Sequence, residues 1–220
     1  AYNEVRIEDG NVEEIYSGYS QYSAARHNLV SVSGGTVEKI IGGQGVEGTD
    51  NSIVVSGGTV MVIIAGQGVN TTNNSINISG GKVWGNITAA RAERNGICTG
   101  NIVIVSGGDV SQGTANAGGR NKGNIVIVRG DTVRGLAVED AEELRLEGFC
   151  GDLDRITRVK RVIVDERSRM GDGTSNFGTL SDEVEELINN GAMTANVYTT
   201  TMYPQFIDEP LKPEYLRPKH

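Results

Sequence analysis

The chain has 220 residues and a formal net charge of -8, and 31 of its residues are glycine. The glycine share is about twice the usual background, which argues against a helical bundle. The acidic balance disfavours nucleic acid or an anionic membrane as the main partner. No apolar run approaches the roughly 20 residues that span a bilayer, so no membrane insertion is expected.

A ten-residue repeat dominates the N-terminal part of the chain. One copy, Asn51–Val60, reads Asn-Ser-Ile-Val-Val-Ser-Gly-Gly-Thr-Val. The copies, of which the first is degenerate, begin at Asn3, Asn28, Asn51, Asn74, Asn101 and Asn124. They are 25, 23, 23, 27 and 23 residues apart, and two weaker units follow at residues 144–148 and 162–165. A regular period of this length is typical of stacked repeat architectures.

Each repeat unit predicts two strands separated by a corner. The first strand alternates β-branched residues with other residues, so that one of its faces is buried. The Gly-Gly pair then permits backbone angles at which the chain turns. A second strand follows, as at residues 36–41, and a polar glycine-rich loop, as at residues 42–45 and 66–68, is expected to close the unit.

Units of this size form either hairpins or the coils of a solenoid. In a parallel β-solenoid, equivalent residues stack about 4.8 Å apart, which favours the same residue type at each equivalent position. The sequence therefore predicts an all-β fold, a single parallel β-solenoid (β-helix) of about seven to eight rungs over residues 1–178. Its core is expected to be narrow and rich in Val and Ile. The recurring asparagine is expected to form a ladder of amide hydrogen bonds.

The repeats resemble the Ser-Gly-Gly-Thr-Val repeats of secreted bacterial and archaeal β-solenoid proteins, as at residues 33–37. Autotransporter passengers, adhesins and cell-surface sheath or filament subunits are proteins of this kind. The resemblance covers Asn3 to Val133 and implies an extracellular, cell-surface location with a structural or adhesive role. A cleaved secretion signal would leave a small residue such as Ala1 at the start.

The composition changes near residue 179, which predicts a second region over residues 179–220. Ser181 is a good helix N-cap, and the acidic residues after it predict a short helix over residues 181–190. A strand is expected over residues 196–201. All four prolines lie beyond it, so residues 203–220 are expected to form an extended arm, packed on its own solenoid or on a neighbouring subunit.

The two ends of the predicted solenoid favour self-assembly. Unpaired strand edges at such ends must be capped or joined to another chain. Residues 1–14 carry a net charge of -4 and residues 155–169 one of +4, which favours head-to-tail contact between copies of the chain. The candidate subunit-interface residues are Tyr16, Tyr19, Tyr22, Arg155, Arg158, Arg161, Tyr203, Phe206 and Tyr215.

Two kinds of covalent modification are predicted as alternatives to unmodified side chains. Cys98 and Cys150 lie too far apart along the predicted solenoid for an internal disulfide, so they are either free thiols or bridges between subunits. Four Asn-x-Ser/Thr sequons mark candidate glycosylation sites. These begin at Asn70, Asn73, Asn77 and Asn86.

Enzyme function is the least favoured alternative. Hydrolysis of an acidic polysaccharide needs two carboxylates facing one groove. The carboxylates nearest to this requirement, Asp152, Asp154, Asp165 and Asp172, share no position in the repeat. The sequence therefore predicts no catalytic, cofactor-binding or metal-binding residue. It predicts a self-assembling structural protein whose partners are copies of itself, or alternatively an adhesin-like or phage-fibre-like module that binds cell-surface glycan.

Overall fold

The computed structural model describes residues 2–93, 96–119, 121–151, 153–165, 168–170 and 194–198. For residues 164–165, 169–170 and 194–198 only the backbone is described. The described chain is all β and forms a parallel β-solenoid of about six turns, close to the predicted seven or eight rungs. The predicted helix at 181–190, the arm at 203–220 and the boundary at residue 178 lie outside the described residues.

The described residues form twenty-one strands. In chain order they are β1 Glu4–Ile7, β2 Asn11–Tyr16, β3 Ala24–Arg26, β4 Leu29–Val32, β5 Thr36–Gln44, β6 Glu47–Thr49, β7 Ser52–Val55, β8 Thr59–Gly68, β9 Asn70–Thr72, β10 Ser75–Ile78, β11 Lys82–Val83, β12 Asn86–Ala92, β13 Cys98–Thr99, β14 Ile102–Val105, β15 Thr114–Gly119, β16 Ile125–Arg129, β17 Leu136–Glu147, β18 Cys150–Gly151, β19 Leu153–Asp165, β20 Arg169–Met170 and β21 Thr194–Tyr198. The predicted strand at 196–201 corresponds to β21, which begins two residues earlier.

The early turns have three faces. Face A stacks β1, β4, β7, β10, β14 and β16 in parallel, and face B stacks β2, β5, β8, β12 and β15. Face C, which consists of β3, β6, β9 and β13, ends at β13. The long strand β17 then pairs with β15 through its first half and with β16 through its second half. The later turns therefore run from face B directly into face A.

The core consists of inward-facing Val and Ile side chains that stack on their own equivalents. Val30, Ile53, Ile76, Val103 and Val126 are in register on face A, and each is 0% exposed. Because successive residues of a strand point to opposite sides, this register buries every second residue. The predicted narrow core and the strand alternation are confirmed.

The predicted asparagine ladder is also confirmed. Its buried members are Asn28, Asn51, Asn74, Asn101 and Asn124. Asn74 is representative: its Oδ1 accepts hydrogen bonds from the backbone N (3.1 Å) and Nδ2 (3.0 Å) of Asn51. Its Nδ2 donates to Asn101 Oδ1 at 2.9 Å and to the carbonyl of Gly48 at 2.8 Å. In each of these turns, the ladder thus provides hydrogen-bond partners for one buried asparagine side chain that water does not reach.

The prediction that the glycine-rich segments 42–45 and 66–68 are loops was wrong except at Gly45. Residues 42–44 belong to β5 and residues 66–68 belong to β8. A Cβ at Gly43 would lie 2.5 Å from Asn51 Nδ2, and one at Gly66 would lie 2.4 Å from Asn74 Nδ2. Glycine occupies these strand positions because the buried asparagine side chains fill the space that a Cβ would need.

The Gly-Gly corners are where the sequence predicted them. The second glycine of each pair has a positive φ, for example 72° at Gly58 and 75° at Gly81. Successive corners also touch through their backbones, since a Cβ at Gly58 would lie 2.6 Å from the carbonyl oxygen of Gly34. A side chain is therefore excluded by both the backbone angle and the neighbouring turn.

Candidate assembly interface

The first turn exposes strand edges. Among the described strands, β1 pairs only with β4, β2 only with β5 and β3 only with β6. The backbone N–H and C=O groups on the outer side of this turn therefore have no ladder partner within the described residues. Such an edge is a template for pairing with a further strand.

The end of the core is also uncovered at the first turn. Val5, Ile7 and Val12 pack against the core but are only half-buried. The side chains in register with Val5 and Val12 one turn later, Val30 and Val37, are 0% exposed. The stack of apolar side chains thus ends at a surface that another turn would cover.

Exposed tyrosines surround this edge. Tyr2, Tyr16, Tyr19 and Tyr22 are 65%, 43%, 67% and 85% exposed, and all four lie in the first turn. Tyrosine is common at protein interfaces because it is large, rigid and amphipathic. The three tyrosines predicted as interface residues from the sequence, Tyr16, Tyr19 and Tyr22, are therefore accessible at one end of the solenoid.

One of these tyrosines is held by a charged pair. The ammonium of Lys39 donates hydrogen bonds to Glu14 Oε1 at 2.9 Å and to the Tyr16 hydroxyl at 3.2 Å. The hydrogen bond from Lys39 lowers the pKa of Glu14, and the same bond raises the pKa of Lys39. Glu8 and Glu13 are exposed nearby, so the first turn remains acidic.

The arginines predicted for the opposite end are engaged within the chain. Arg155 binds Glu139 at 2.8 Å, and Arg158 binds Asp140 at 2.6 Å. The Asp140 carboxylate raises the pKa of Arg158 above its ordinary value. These ion pairs join β19 to β17, so a second copy of the chain would have to compete with them.

The third candidate arginine is paired in the same way. Arg161 binds Glu143, which is 2% exposed and also pairs with Arg145. A buried carboxylate of this kind requires such partners. The other candidate interface residues, Tyr203, Phe206 and Tyr215, lie outside the described residues.

The two cysteines have different environments. Cys98 is 4% exposed, and its Sγ accepts a hydrogen bond from Thr71 Oγ1 at 3.0 Å. Cys150 is half-buried. A bridge from Cys98 to another subunit would require that part of the wall to open. The intersubunit disulfide remains a prediction.

The four sequons lie at the surface. Asn70, Asn73, Asn77 and Asn86 are all exposed, and Asn77 points outward from face A, as the strand alternation predicts. Steric access for a glycan is therefore present at each site. Glycosylation remains a prediction.

A groove that the sequence did not indicate lies on the outside of face B. It encloses about 510 Å³, and Asn86, Thr88, Arg91, Asn116 and Asp140 supply polar groups to it. Asn116 Nδ2 donates to Asp140 Oδ2 at 3.1 Å. Register brings these residues together, since Asn86 and Thr88 pair with Thr114 and Asn116 of the next turn.

Glycines shape the groove. Gly118 and Gly119 have φ values of 102° and 105° and leave one wall without side chains. The Gly118–Gly119 pair follows no Ser and therefore departs from the corner motif. This departure is the one sequence signal that could have indicated the groove.

The described residues contain neither a metal site nor a membrane-spanning helix. No group of three or more His, Cys, Asp or Glu side chains among them is arranged to hold an ion, and none of their segments is a helix suited to crossing a bilayer. Of the carboxylates considered for hydrolysis, Asp154 is exposed on β19. The side chains of Asp152, Asp165 and Asp172 lie outside the described part.

None of the protein families, curated proteins or solved structures compared with the chain matches it. The parallel β-solenoid confirms the resemblance to β-solenoid repeat proteins at the level of the fold.

Proposed function

We propose that the chain is a secreted structural protein that assembles end to end into an extracellular filament, sheath or surface layer. The supporting observation is that three features coincide at the first turn: unpaired strand edges, an uncovered end of the core and four exposed tyrosines. The occupant of this surface would be the far end of a second copy.

Stacking of copies would continue the existing architecture. Every strand pair within faces A, B and C is parallel and in register, so a docked turn would extend the same ladders and bury the half-exposed Val5, Ile7 and Val12. The contact joins two different surfaces, so it propagates into an open polymer unless the rotation between copies closes a ring. Because Arg155, Arg158 and Arg161 are paired within the chain, backbone pairing and tyrosine burial carry the association.

The resemblance of the repeats to secreted sheath, filament and adhesin proteins supports the same proposal. A structural role outside the cell also agrees with a surface that displays four sequons. The location outside the cell rests on that resemblance.

Removing the tyrosines is expected to weaken assembly. We expect the double variant Tyr19→Ser/Tyr22→Ser to raise the protein concentration at which light scattering detects polymers by roughly tenfold, because truncating central aromatic residues costs well over 1 kcal/mol at an interface. The matched control is Met61→Ser/Trp84→Ser, which removes two exposed apolar side chains that lie outside the first turn. Wild-type protein that stays monomeric at every concentration, or a control that weakens assembly equally, would reject the proposal.

A second variant probes the edge directly. A Cβ at Gly10 meets no atom within 4 Å, whereas a Cβ at the equivalent Gly35 would lie 2.5 Å from the Gly10 carbonyl oxygen of the preceding turn. Gly10→Ala should therefore obstruct a docked turn, while in the isolated chain it adds only the backbone strain of a positive φ, about 1–2 kcal/mol. Electron microscopy should show shorter polymers for Gly10→Ala than for the wild type.

The groove on face B favours a second candidate function, binding of an acidic glycan. The guanidinium of Arg91 has no ion-pair partner among the described residues, and two amides and a hydroxyl line the same groove. A sugar carboxylate would pair with Arg91, and Asn86 and Asn116 would contact ring hydroxyls.

Substitution of Arg91 tests this candidate. We expect Arg91→Ala to weaken binding of a uronic-acid oligosaccharide at least about tenfold in calorimetry, because a charged hydrogen bond contributes about 1.5–3 kcal/mol. Asn77→Ala, which changes an exposed amide on face A, serves as the control and should leave binding unchanged. Equal affinity for a neutral oligosaccharide would contradict the assigned role of Arg91.

A further inference from the structure

The outward side chains of face A change from mostly polar in β7 and β10 to apolar in β14 and β16. In β7 and β10 three of the four outward positions are polar, Ser52, Ser75 and Asn77, and the fourth is Val54. In β14 and β16 four outward positions are isoleucine instead. These residues, which we call the isoleucine patch, are Ile102, Ile104, Ile125 and Ile127.

The patch is compact and separate from the core. Ile102 is in register with Ile125, and Ile104 with Ile127, so the four side chains form two pairs whose members lie about 4.8 Å apart. Ile102, Ile104 and Ile125 are half-buried and Ile127 is 7% exposed. None of them belongs to the core cluster, because their strands send Val103, Val105, Val126 and Val128 inward.

Polar residues bound the patch on both sides. Ser75 and Asn77 precede it in register, and Glu143 and Arg145 follow it. The other outward apolar residues of face A, Leu29, Val54 and Ile163, each have polar neighbours in register. A block of four isoleucines in direct contact instead indicates a surface that is covered, since each buried side chain contributes about 1.5–3 kcal/mol.

The chain itself supplies a segment close to this surface. β21 lies on face A, where Ile163 of β19 is in register with Asn196. From β21 to β16 there are three strand spacings, or about 14 Å. Residues 199–220, which include the C-terminal arm at 203–220, follow β21 directly in the sequence, and 22 extended residues reach about 75 Å. The apolar residues of the arm are Tyr203, Phe206, Ile207, Leu211, Tyr215 and Leu216.

We propose that the C-terminal arm packs across the isoleucine patch of its own chain. The tether holds the arm at an effective concentration near the millimolar range, which exceeds that of a second copy in dilute solution. The arm would clamp the last turns of the solenoid against face A. This role is independent of the assembly proposed for the first turn.

Photocrosslinking of the full chain tests the contact. A benzophenone is attached through a maleimide to Ile104→Cys in a Cys150→Ser background, and the buried Cys98 is left in place. At concentrations below the onset of assembly, we expect cross-links from this position to peptides of residues 199–220. The control position is Met61→Cys on face B, from which such cross-links should be absent.

Mixing isotopically heavy and light protein distinguishes the two possible sources of the arm. Cross-links confined to heavy–heavy and light–light pairs support the proposal. Heavy–light cross-links to the arm would overturn it in favour of docking onto a second copy. Cross-links that avoid residues 199–220 altogether would overturn it outright.

A dye that binds exposed apolar surface gives an independent readout. The variant Phe206→Asp/Leu211→Asp should increase the fluorescence of 1-anilinonaphthalene-8-sulfonate several-fold while the β-sheet circular dichroism is retained. The control Gln205→Asp/Lys212→Asp also places two acidic residues in the arm, but at polar positions, and should leave the fluorescence unchanged. An unchanged signal in the Phe206→Asp/Leu211→Asp variant would contradict the proposed contact.

Discussion

Replacing Asn74 by alanine is expected to destabilise the solenoid by about 4 kcal/mol, because several buried polar groups would lose their partners together. The backbone N–H and the Nδ2 of Asn51 both donate to Asn74 Oδ1, and the Gly48 carbonyl accepts from Asn74 Nδ2. All of these groups are buried, so water cannot replace the lost hydrogen bonds. The measurement is urea unfolding followed by far-UV circular dichroism.

Two further variants isolate the cause of that loss. Asn77→Ala, in the same strand but exposed, should change the free energy of unfolding by no more than about 0.5 kcal/mol. Asn74→Leu fills the space of the side chain yet leaves the same groups unpaired, so it should be about as damaging as Asn74→Ala. Equal stability of the Asn74→Ala and Asn77→Ala variants would show that the ladder does not stabilise the fold.

Substitution of a corner glycine is the second change with a large expected effect. Gly81→Ala should cost at least about 3 kcal/mol, since the residue has a φ of 75° and its Cβ would lie 2.7 Å from the carbonyl carbon of Gly57. Backbone atoms cannot move aside as the end of a flexible side chain can. Thermal unfolding and urea titration both report this loss.

The first turn supplies the matched control for this variant. Gly10 occupies the same corner position with a φ of 89°, but a Cβ added at Gly10 would have no atom within 4 Å. Gly10→Ala therefore has only the backbone strain, about 1–2 kcal/mol. If Gly10→Ala and Gly81→Ala were equally destabilising, contact between stacked corners could not be the reason for glycine at these positions.

The stacking of equivalent residues in successive turns explains which parts of the structure were predictable from the sequence. Asn51 binds Asn74, Val30 packs on Ile53, and Gly58 lies against Gly34 and Gly35. In each of these contacts a residue meets its equivalent in the next turn, or a neighbour of that equivalent. A repeat period in the sequence records such contacts, so the strands, the corners, the core and the ladder could all be predicted.

Contacts between positions that are not equivalent produce no repeating pattern in the sequence. The glycines of β5 looked like loop residues because their partner, Asn51, is a different element of the repeat. In the same way, the net positive charge of residues 155–169 made Arg158 a candidate interface residue. Asp140, the carboxylate that pairs with Arg158, lies in the preceding turn and has no counterpart in the motif.

By itself the sequence determined that the chain stacks into a parallel β-solenoid with an asparagine ladder, since each side chain must fit its own copy one turn away. Only the tertiary structure decided which arginines are engaged and how the groove on face B forms. Those features depend on which outward residues become neighbours when face C ends at β13 and faces A and B join along β17. The register between turns determines these neighbours, and no single segment of the chain encodes it.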